Sequence, residues 1–342
     1  MKTKKNDKLK YVLNILITFI IVILILYLVL KDDFAGVINH IKKMDYKYLI
    51  ISIIVMILYR FLLAVSLYIV TICNKQKYSL KKSLQLNFIT QFFNGITPFA
   101  SGGQPMQIYY LHQEKIPIGT STNIVIQNFI LYQTALILMG IFAVVFNYFT
   151  GLFPKNNIMA NLVTIGFIIN FLVWLGSFII SFCKNISSFI INKVITFLAK
   201  MNIIKNKEKT QEKLTNYINS FYENAMILKD YKKQVIIGIV VNILALIALY
   251  TVPFILIKGI GALSIINYVT SLVAVSYVML IGSFVPIPGG TGGIEYGFIH
   301  FFGYFLSDSV LVSVMLLWRV ITYYLGMAFG GLLIPLYKKG SD

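Results

Sequence analysis

VPIPGGTGGIE, the stretch from Val285 to Glu295, interrupts an otherwise apolar part of the chain. Its two prolines and four glycines cannot continue a helix, so we expect a helix to break here at membrane depth. Such a break is tolerated only where the backbone is buried in protein or lines a polar cavity. A new helix N-terminus beside an ionisable side chain such as Glu295 is how transporters build a substrate site. A kink that serves only packing is the alternative.

A similar stretch, TPFASGGQPMQ, lies in the first half of the chain at residues 97–107. It aligns with residues 285–295 without a gap, at an offset of 188 residues. The alignment pairs Pro98 with Pro286, Gly102 with Gly290, and Gln107 with Glu295. Two helix breaks in corresponding halves indicate an internal repeat with a central site.

The composition indicates a polytopic helical membrane protein. Hydrophobic residues make up 58% of the chain and charged residues 12%, and the mean hydropathy is +0.80. Soluble domains have about a quarter of their residues charged. We expect one membrane domain over residues 1–342. The net charge of +18 would suggest a nucleic-acid partner for a soluble protein, but here the lysines lie between apolar spans, as the positive-inside rule describes.

The predicted fold class is an all-α integral membrane protein with about six full spans plus two Pro/Gly-broken re-entrant hairpins in inverted repeats. About 20 apolar residues cross a bilayer. The predicted spans are Tyr11–Leu30, Tyr48–Ile72, Thr120–Phe149, Met159–Phe182, Val235–Ile257 and Val310–Leu336. The re-entrant hairpins are predicted at residues 84–112 and 265–306, and residues 184–234 as a basic cytoplasmic loop with an amphipathic helix.

The lysines give the orientation of these spans. The topology places 22 lysines on the cytoplasmic side, together with both termini, and 6 on the other side. Three crossings separate the two hairpins, so the hairpins enter from opposite faces. The repeats are therefore predicted to be inverted, as expected for alternating access around a site near the midplane.

Three ionisable side chains, Arg60, Glu295 and Arg319, fall within apolar spans. An arginine at the centre of a spanning helix costs about 2.5–3.5 kcal/mol on insertion scales, so we expect these side chains to face inward and find partners. A planar guanidinium binds two phosphate oxygens at once. The functional hypothesis is that both arginines hold a lipid phosphate while Glu295 pairs with a cationic group or an arginine. A structural Glu–Arg bridge between the repeats is the alternative.

Three amides recur on one helical face before the first break. Asn87, Gln91 and Asn94 follow the spacing i, i+4 and i+7. They suit either a substrate-facing surface or a hydrogen-bonded seam between helices. The sequence carries no motif typical of nucleophilic, metal or phosphoryl-transfer catalysis, so we expect no catalytic residue, no metal and no cofactor.

Two segments and a late Trp318-Arg319 pair resemble the membrane domain of the lysylphosphatidylglycerol synthase/flippase family. The segments are TPFASGGQPMQIYYL at 97–111 and VPIPGGTGGIEYGF at 285–298, and the resemblance covers about residues 40–336. It implies lipid translocation across the bacterial plasma membrane and, in full-length members, resistance to cationic antimicrobial peptides. The positions that match the family pattern are Pro286, Pro288, Gly289, Gly290, Gly292, Glu295 and Arg319.

The chain departs from that family in two respects. Gln104 and Gln107 stand where many relatives have an acidic and a basic residue. The soluble aminoacyl-transferase domain of the family is expected to be absent, because the chain ends at Asp342.

We therefore expect flippase-like translocation of an anionic or aminoacylated phospholipid of the lysyl-phosphatidylglycerol type. The alternatives are a phosphatidylglycerol lysyltransferase or its membrane subunit, transport of a polyprenyl-linked lipid, and a scaffold for membrane enzymes. The expected partner is a membrane phospholipid and not a nucleic acid; a separate lipid-modifying synthase and an oligomer stay open. The predicted substrate-binding residues are Arg60, Asn87, Gln91, Asn94, Gly102, Gly103, Gln104, Gln107, Pro286, Pro288, Gly289, Gly290, Gly292, Glu295 and Arg319.

The predicted orientation can be tested with single cysteines in a chain whose Cys73 and Cys183 are replaced by serine. Cysteines introduced at Lys205 and Lys338 should be shielded from an impermeant thiol reagent in intact cells, and one at Lys155 should react, because the lysine-rich segments stay inside. Labelling at Lys205 would reverse the orientation and the direction assigned to each hairpin.

Overall fold

The computed structural model describes residues 34–153, 157–183, 193, 228–262 and 266–337. Within these ranges the chain forms helices joined by short turns, and no strand occurs. The first predicted span, Tyr11–Leu30, and nearly all of the basic segment 184–234 lie outside the described residues.

The first half of the chain forms a four-helix unit, which we call the first unit. After α1 (Phe34–Lys43), its helices are α2 (Tyr46–Cys73), α3 (Leu80–Ile96), α4 (Gly103–Gln113) and α5 (Ile118–Thr150). A 3₁₀ turn, Pro98–Ala100, interrupts the path from α3 to α4, and these two helices pack together as the first hairpin.

The second unit repeats this order after the connecting helix α6 (Asn157–Phe182). Its helices are α7 (Lys232–Ile260), α8 (Tyr268–Gly282), α9 (Gly293–Phe302), α10 (Asp308–Arg319) and α11 (Leu325–Leu333). A 3₁₀ turn, Pro288–Gly290, separates α8 from α9, which form the second hairpin. A π-helical turn, Val320–Tyr324, joins α10 to α11, so these helices continue each other.

Five helical segments in the described part of the chain are long and apolar enough to cross a membrane. They are α2, α5, α6, α7 and the run Asp308–Leu333. Their outer surfaces carry many exposed large apolar side chains, as a lipid-facing surface requires. The prediction of an all-α membrane protein is confirmed.

Helices α2 and α7 pack against each other in opposite directions. The N–H of Asp45, just before α2, donates to the carbonyl of Gly259 near the end of α7 (3.1 Å). Near the other end of the pair, the Asn242 amide donates to Ser66 Oγ (2.8 Å). The equivalent helices of the two units therefore run antiparallel, as the predicted inverted repeat requires.

The register of the repeat changes at the helix breaks. Helices α3 and α8 begin 188 residues apart, but the two 3₁₀ turns, and likewise α4 and α9, begin 190 residues apart. One residue, Thr97, separates α3 from its turn, whereas five residues, 283–287, separate α8 from the second turn. Pro98 therefore corresponds to Pro288, and the gapless alignment of Pro98 with Pro286 is wrong by two residues.

The corrected register also moves the later positions of the alignment. Gly102 corresponds to Gly292, because these residues precede the equivalent helices α4 and α9. Pro105, not Gln107, stands at the position of Glu295. The longer linker of the second hairpin is the physical reason.

Both turns share an unusual backbone. The second and third residues of each turn have left-handed φ values: Phe99 (53°), Ala100 (51°), Gly289 (69°) and Gly290 (64°). In each turn the following hydroxyl donates to the carbonyl of the first proline, from Ser101 to Pro98 (2.9 Å) and from Thr291 to Pro288 (2.7 Å). The same backbone thus forms twice from different side chains.

Apolar packing fixes the second hairpin against α10. Phe298 stacks on Trp318 with ring centroids 5.0 Å apart and on Phe302 at 4.2 Å, and all three side chains are fully buried. Trp318 therefore holds α10 against α9, and this contact positions the neighbouring Arg319.

The two glycines of the second turn allow a direct comparison. A Cβ on Gly289 would lie 2.3 Å from Tyr323 Cζ, whereas one on Gly290 would meet Ile294 Cδ1 at 2.9 Å, and Ala100 occupies the equivalent place in the first turn. A left-handed φ costs an L-residue roughly 1–2 kcal/mol. Gly289→Ala should therefore lower the melting temperature more than Gly290→Ala, since it must also displace an aromatic ring.

Tyr323→Leu provides the control for this comparison. It removes the atoms that the new methyl group would meet, so the loss in Gly289→Ala/Tyr323→Leu should be smaller than the sum of the two single losses. If the two single losses simply add in the double variant, the Tyr323 ring is not what opposes a side chain at position 289.

Candidate functional site

The two 3₁₀ turns contact each other. The turn Pro98–Ala100 lies against the turn Pro288–Gly290, and α3 also contacts the second turn. Both interrupted helices thus present their new N-termini to one region. Free N–H groups at a helix N-terminus favour negative charge, so this region suits anionic groups.

The two hairpins satisfy equivalent N–H groups with different acceptors. The N–H of Gly102 donates to Thr97 Oγ1 (2.8 Å), and that of Gly103 donates to Asn94 Oδ1 (2.9 Å). In the second hairpin, the N–H of Gly292 donates to Glu295 Oε2 (2.7 Å). Neutral side chains therefore cap α4, whereas a carboxylate caps α9.

Glu295 and Arg319 form a buried ion pair. Arg319 Nε lies 2.7 Å from Glu295 Oε1, and the two side chains are only 6% and 8% exposed. Arg319 also donates from Nη1 to the carbonyl of Gly289 (3.2 Å) and from Nη2 to Thr291 Oγ1 (3.3 Å). The second turn, the start of α9 and the end of α10 are therefore joined through one guanidinium group.

Tyr323 extends this network to the first unit. The Arg319 guanidinium lies over the Tyr323 ring, 4.5 Å from its centroid, and the Tyr323 hydroxyl donates to the carbonyl of Gly95 near the end of α3 (2.6 Å). Tyr323 belongs to the π-helical turn, a rare element that is frequent at functional sites. The sequence reasoning missed this residue, although its place four residues after Arg319 was a usable signal.

The structure brings together several of the residues predicted from the sequence. Pro288 starts the second turn, and the left-handed Gly289, Gly290 and Gly292 carry the chain to α9. Pro286 lies in the linker after α8, outside the turn itself. Gly102 and Gly103 lie at the start of α4, where an added Cβ would meet Thr97 and Asn94 respectively.

The three amide side chains on the polar face of α3 have different surroundings. Asn94 caps the first residue of α4 and so serves the hairpin itself. Gln91 lies beside Gly326 of α11, where a Cβ would be 3.3 Å from Gln91 Cγ. Asn87 is buried, and its Oδ1 has no hydrogen-bond partner among the residues described. In α4, Gln107 is buried and Gln104 is half-buried.

Arg60 has different surroundings from Arg319. Its guanidinium carbon lies 4.9 Å from the centroid of the Tyr59 ring, and Nη2 would lie 3.7 Å from a Cβ on Gly326. The structure therefore separates the two arginines: Arg319 is bound to the second turn and Glu295, and Arg60 lies against α11.

A second ion pair, between the half-buried Lys82 and the buried Glu114 side chain, ties the start of α3 to the end of α4. The sequence reasoning did not single it out, since both residues fall in short polar segments. No group of three histidine, cysteine or acidic side chains in the described ranges is arranged to hold a metal ion.

A double-mutant cycle measures the coupling in the Glu295–Arg319 pair. Removing one partner of a buried pair leaves an uncompensated charge and costs about 3–5 kcal/mol. Glu295→Gln and Arg319→Gln should each lower the melting temperature strongly, and the double variant should recover much of the loss. Glu295→Gln combined with Arg60→Gln is the matched control and should be additive. Additive changes in both cycles would refute a mutual stabilisation of Glu295 and Arg319.

Comparisons with known proteins agree with this architecture. The chain is 27% identical over 304 residues to a UPF0104 membrane protein of Archaeoglobus fulgidus. The aligned region covers 85% of this chain and 87% of the relative. Residues 12–330 match the family described as the lysylphosphatidylglycerol synthase TM region. Because that match spans most of the chain, including both interrupted hairpins and the Glu295–Arg319 pair, the protein belongs to the lysylphosphatidylglycerol synthase transmembrane-region family.

Proposed function

We propose that this multi-pass membrane protein moves a phospholipid with an anionic or aminoacylated headgroup between the leaflets of the bacterial plasma membrane. The buried Glu295–Arg319 pair at the meeting point of the two hairpins carries this proposal. The family description supports a role connected with membrane lipids.

The comparison of the two hairpins favours a functional role for the pair. Thr97 and Asn94 cap the first hairpin without any charge, so the turn backbone does not require a carboxylate. In the second hairpin the same task falls to Glu295, which brings a buried charge and with it a second one on Arg319. Charges within membrane spans are expensive and mark transport pathways by default.

The contacts of the pair match the chemistry of such a headgroup. A phosphate can replace Glu295 as the partner of Arg319, because a guanidinium binds phosphate and carboxylate in the same forked geometry. The freed Glu295 carboxylate is then available to the ammonium group of an aminoacylated lipid. Exchange of partners keeps every buried charge compensated during binding.

The arrangement of the units suits alternating access. The equivalent helices α2 and α7 run antiparallel, and in the predicted topology the hairpins are re-entrant from opposite faces. Movement of one unit against the other would break the Tyr323–Gly95 hydrogen bond and separate the two turns. The site would then be exposed to each side of the membrane in turn.

A leaflet-accessibility assay tests the proposal. Purified protein is reconstituted into liposomes that contain lysyl-phosphatidylglycerol, and an impermeant amine reagent is added outside. Wild-type liposomes should expose the inner-leaflet lipid to the reagent, and Arg319→Gln should slow this by about tenfold or more, equivalent to roughly 1.4 kcal/mol. Lys47→Gln is the control, because it removes a basic charge from an exposed pair of little energetic weight.

Two results would contradict the proposal. The first is inner-leaflet exposure at the same rate in wild-type and protein-free liposomes. The second is stability coupling of Glu295 and Arg319 with unchanged lipid binding and transport in both single variants, which would make the pair a structural bridge. Lysyl transfer from lysyl-tRNA by the purified chain would instead support the transferase alternative.

A further inference from the structure

Arg60 lies at the centre of a spanning helix, where a charge is costly. Helix α2 runs from Tyr46 to Cys73, so its midpoint falls between Tyr59 and Arg60. The Arg60 side chain is buried, with 6% of the residue exposed. A charge at the centre of a spanning helix therefore requires compensation from a partner or a ligand.

The residues around Arg60 provide little compensation for that charge. Its guanidinium lies over the face of the Tyr59 ring, and its Nε has no hydrogen-bond partner among the residues described. The described ion pairs join Lys47 to Asp45, Lys82 to Glu114 and Arg319 to Glu295, and none of them includes Arg60. Arg319, in contrast, has a carboxylate, a carbonyl and a hydroxyl as partners.

Neutral polar groups of α3 lie at the same level as Arg60. The hydroxyl of Ser83 donates to the carbonyl of Ala64 (2.6 Å), which fixes the register between the consecutive, antiparallel helices α2 and α3. One turn before Ala64 in α2 and one turn after Ser83 in α3, Arg60 and Asn87 lie level with each other. Gln91 and Arg60 both border Gly326. The N–H groups of amide side chains can donate hydrogen bonds to an anion without adding charge.

The surroundings of Arg60 continue the region around Arg319. Arg319 lies over Tyr323, and Gly326, beside Arg60, follows three residues later. One helical turn rises about 5.4 Å, so the residues that the two guanidinium groups border, Tyr323 and Gly326, lie within about one turn of each other along the last span. A ligand that leaves one arginine therefore has the other close by.

We propose that Arg60 forms a second, separate anion-binding site that takes a phosphate group at mid-membrane depth. If the proposed lipid transport is right, this site holds the lipid phosphate in the middle of its path, after Arg319 has released it. Transport through a membrane needs sites that bind well enough to admit a ligand and weakly enough to release it, and two successive arginines meet that condition. The shared ligand chemistry is a phosphate group, whether on a lipid or in solution.

The test asks whether replacing Arg60 raises or lowers the melting temperature. Delipidated protein in an uncharged detergent is melted alone and with phosphatidylglycerol, inorganic phosphate or uncharged diacylglycerol. Arg60→Met should melt above wild type without ligand, because it replaces an uncompensated buried charge by an apolar side chain. It should also lose at least about tenfold in affinity for phosphatidylglycerol, equivalent to roughly 1.4 kcal/mol.

Two further variants make the comparison specific. Arg60→Lys keeps the charge but not the planar fork, so it should retain only part of the affinity. Lys47→Gln should bind and melt like wild type. Arg60-dependent stabilisation by phosphatidylglycerol alone identifies a lipid phosphate, and the same effect with inorganic phosphate identifies a soluble one; diacylglycerol should give neither.

The opposite pattern would overturn the proposal. If Arg60→Met melts well below wild type and the surviving protein binds phosphatidylglycerol unchanged, Arg60 is a structural residue. Should Arg60→Met fail to fold, wild-type affinity for every phosphate ligand in Arg60→Lys decides against the site. Arg60-dependent binding without lipid movement in liposomes would reject only the proposed function, whereas lipid movement without Arg60-dependent binding would reject only this site.

Discussion

The backbone N–H groups at the two interrupted helices of this membrane-spanning chain must find acceptors within the molecule. An unsatisfied backbone group costs several kcal/mol there, so each break requires its own capping side chain. Thr97 and Asn94 serve α4, and Glu295 serves α9. The rest of the site follows from that difference: a carboxylate cap needs a cation, the cation is Arg319, and Arg319 in turn contacts Tyr323 and the second turn.

The two units therefore share a backbone but not an electrostatic role. Their turns have the same left-handed residues and the same hydroxyl-to-carbonyl bond, although only one of them uses glycine at both left-handed positions. Gly289 is needed because Tyr323 lies against it, and Tyr323 is the residue that reaches the other unit. A repeat with one neutral and one charged half gives an asymmetric site. Under the proposed function, a headgroup would meet opposite charges on one side and amides on the other.

The sequence predicted the helix breaks and the spans that fall within the described residues well, because prolines, glycines and long apolar runs act locally. The predicted span Tyr48–Ile72 differs from α2 by two residues at its start and one at its end. The repeat register failed by two residues, since a gapless alignment cannot show that the linker before Pro288 is longer than Thr97 alone. The contact between Tyr323 and Gly95 joins residues 228 positions apart, and no local pattern specifies such a pair.

The π-helical turn has a consequence for how the last span faces its neighbours. A π turn accommodates one extra residue, and one residue corresponds to about 100° of rotation in an α-helix. The helix before the turn directs Arg319 toward Glu295, while the helix after it directs Gly326 and Gly330 toward α3, where a Cβ on Gly330 would lie 2.1 Å from the Phe88 carbonyl. The last span is thus one continuous helix whose two halves are rotated relative to each other about the helix axis. Because this rotation falls between them, any sequence change that removed the extra residue would leave one of the two faces pointing away from its partner.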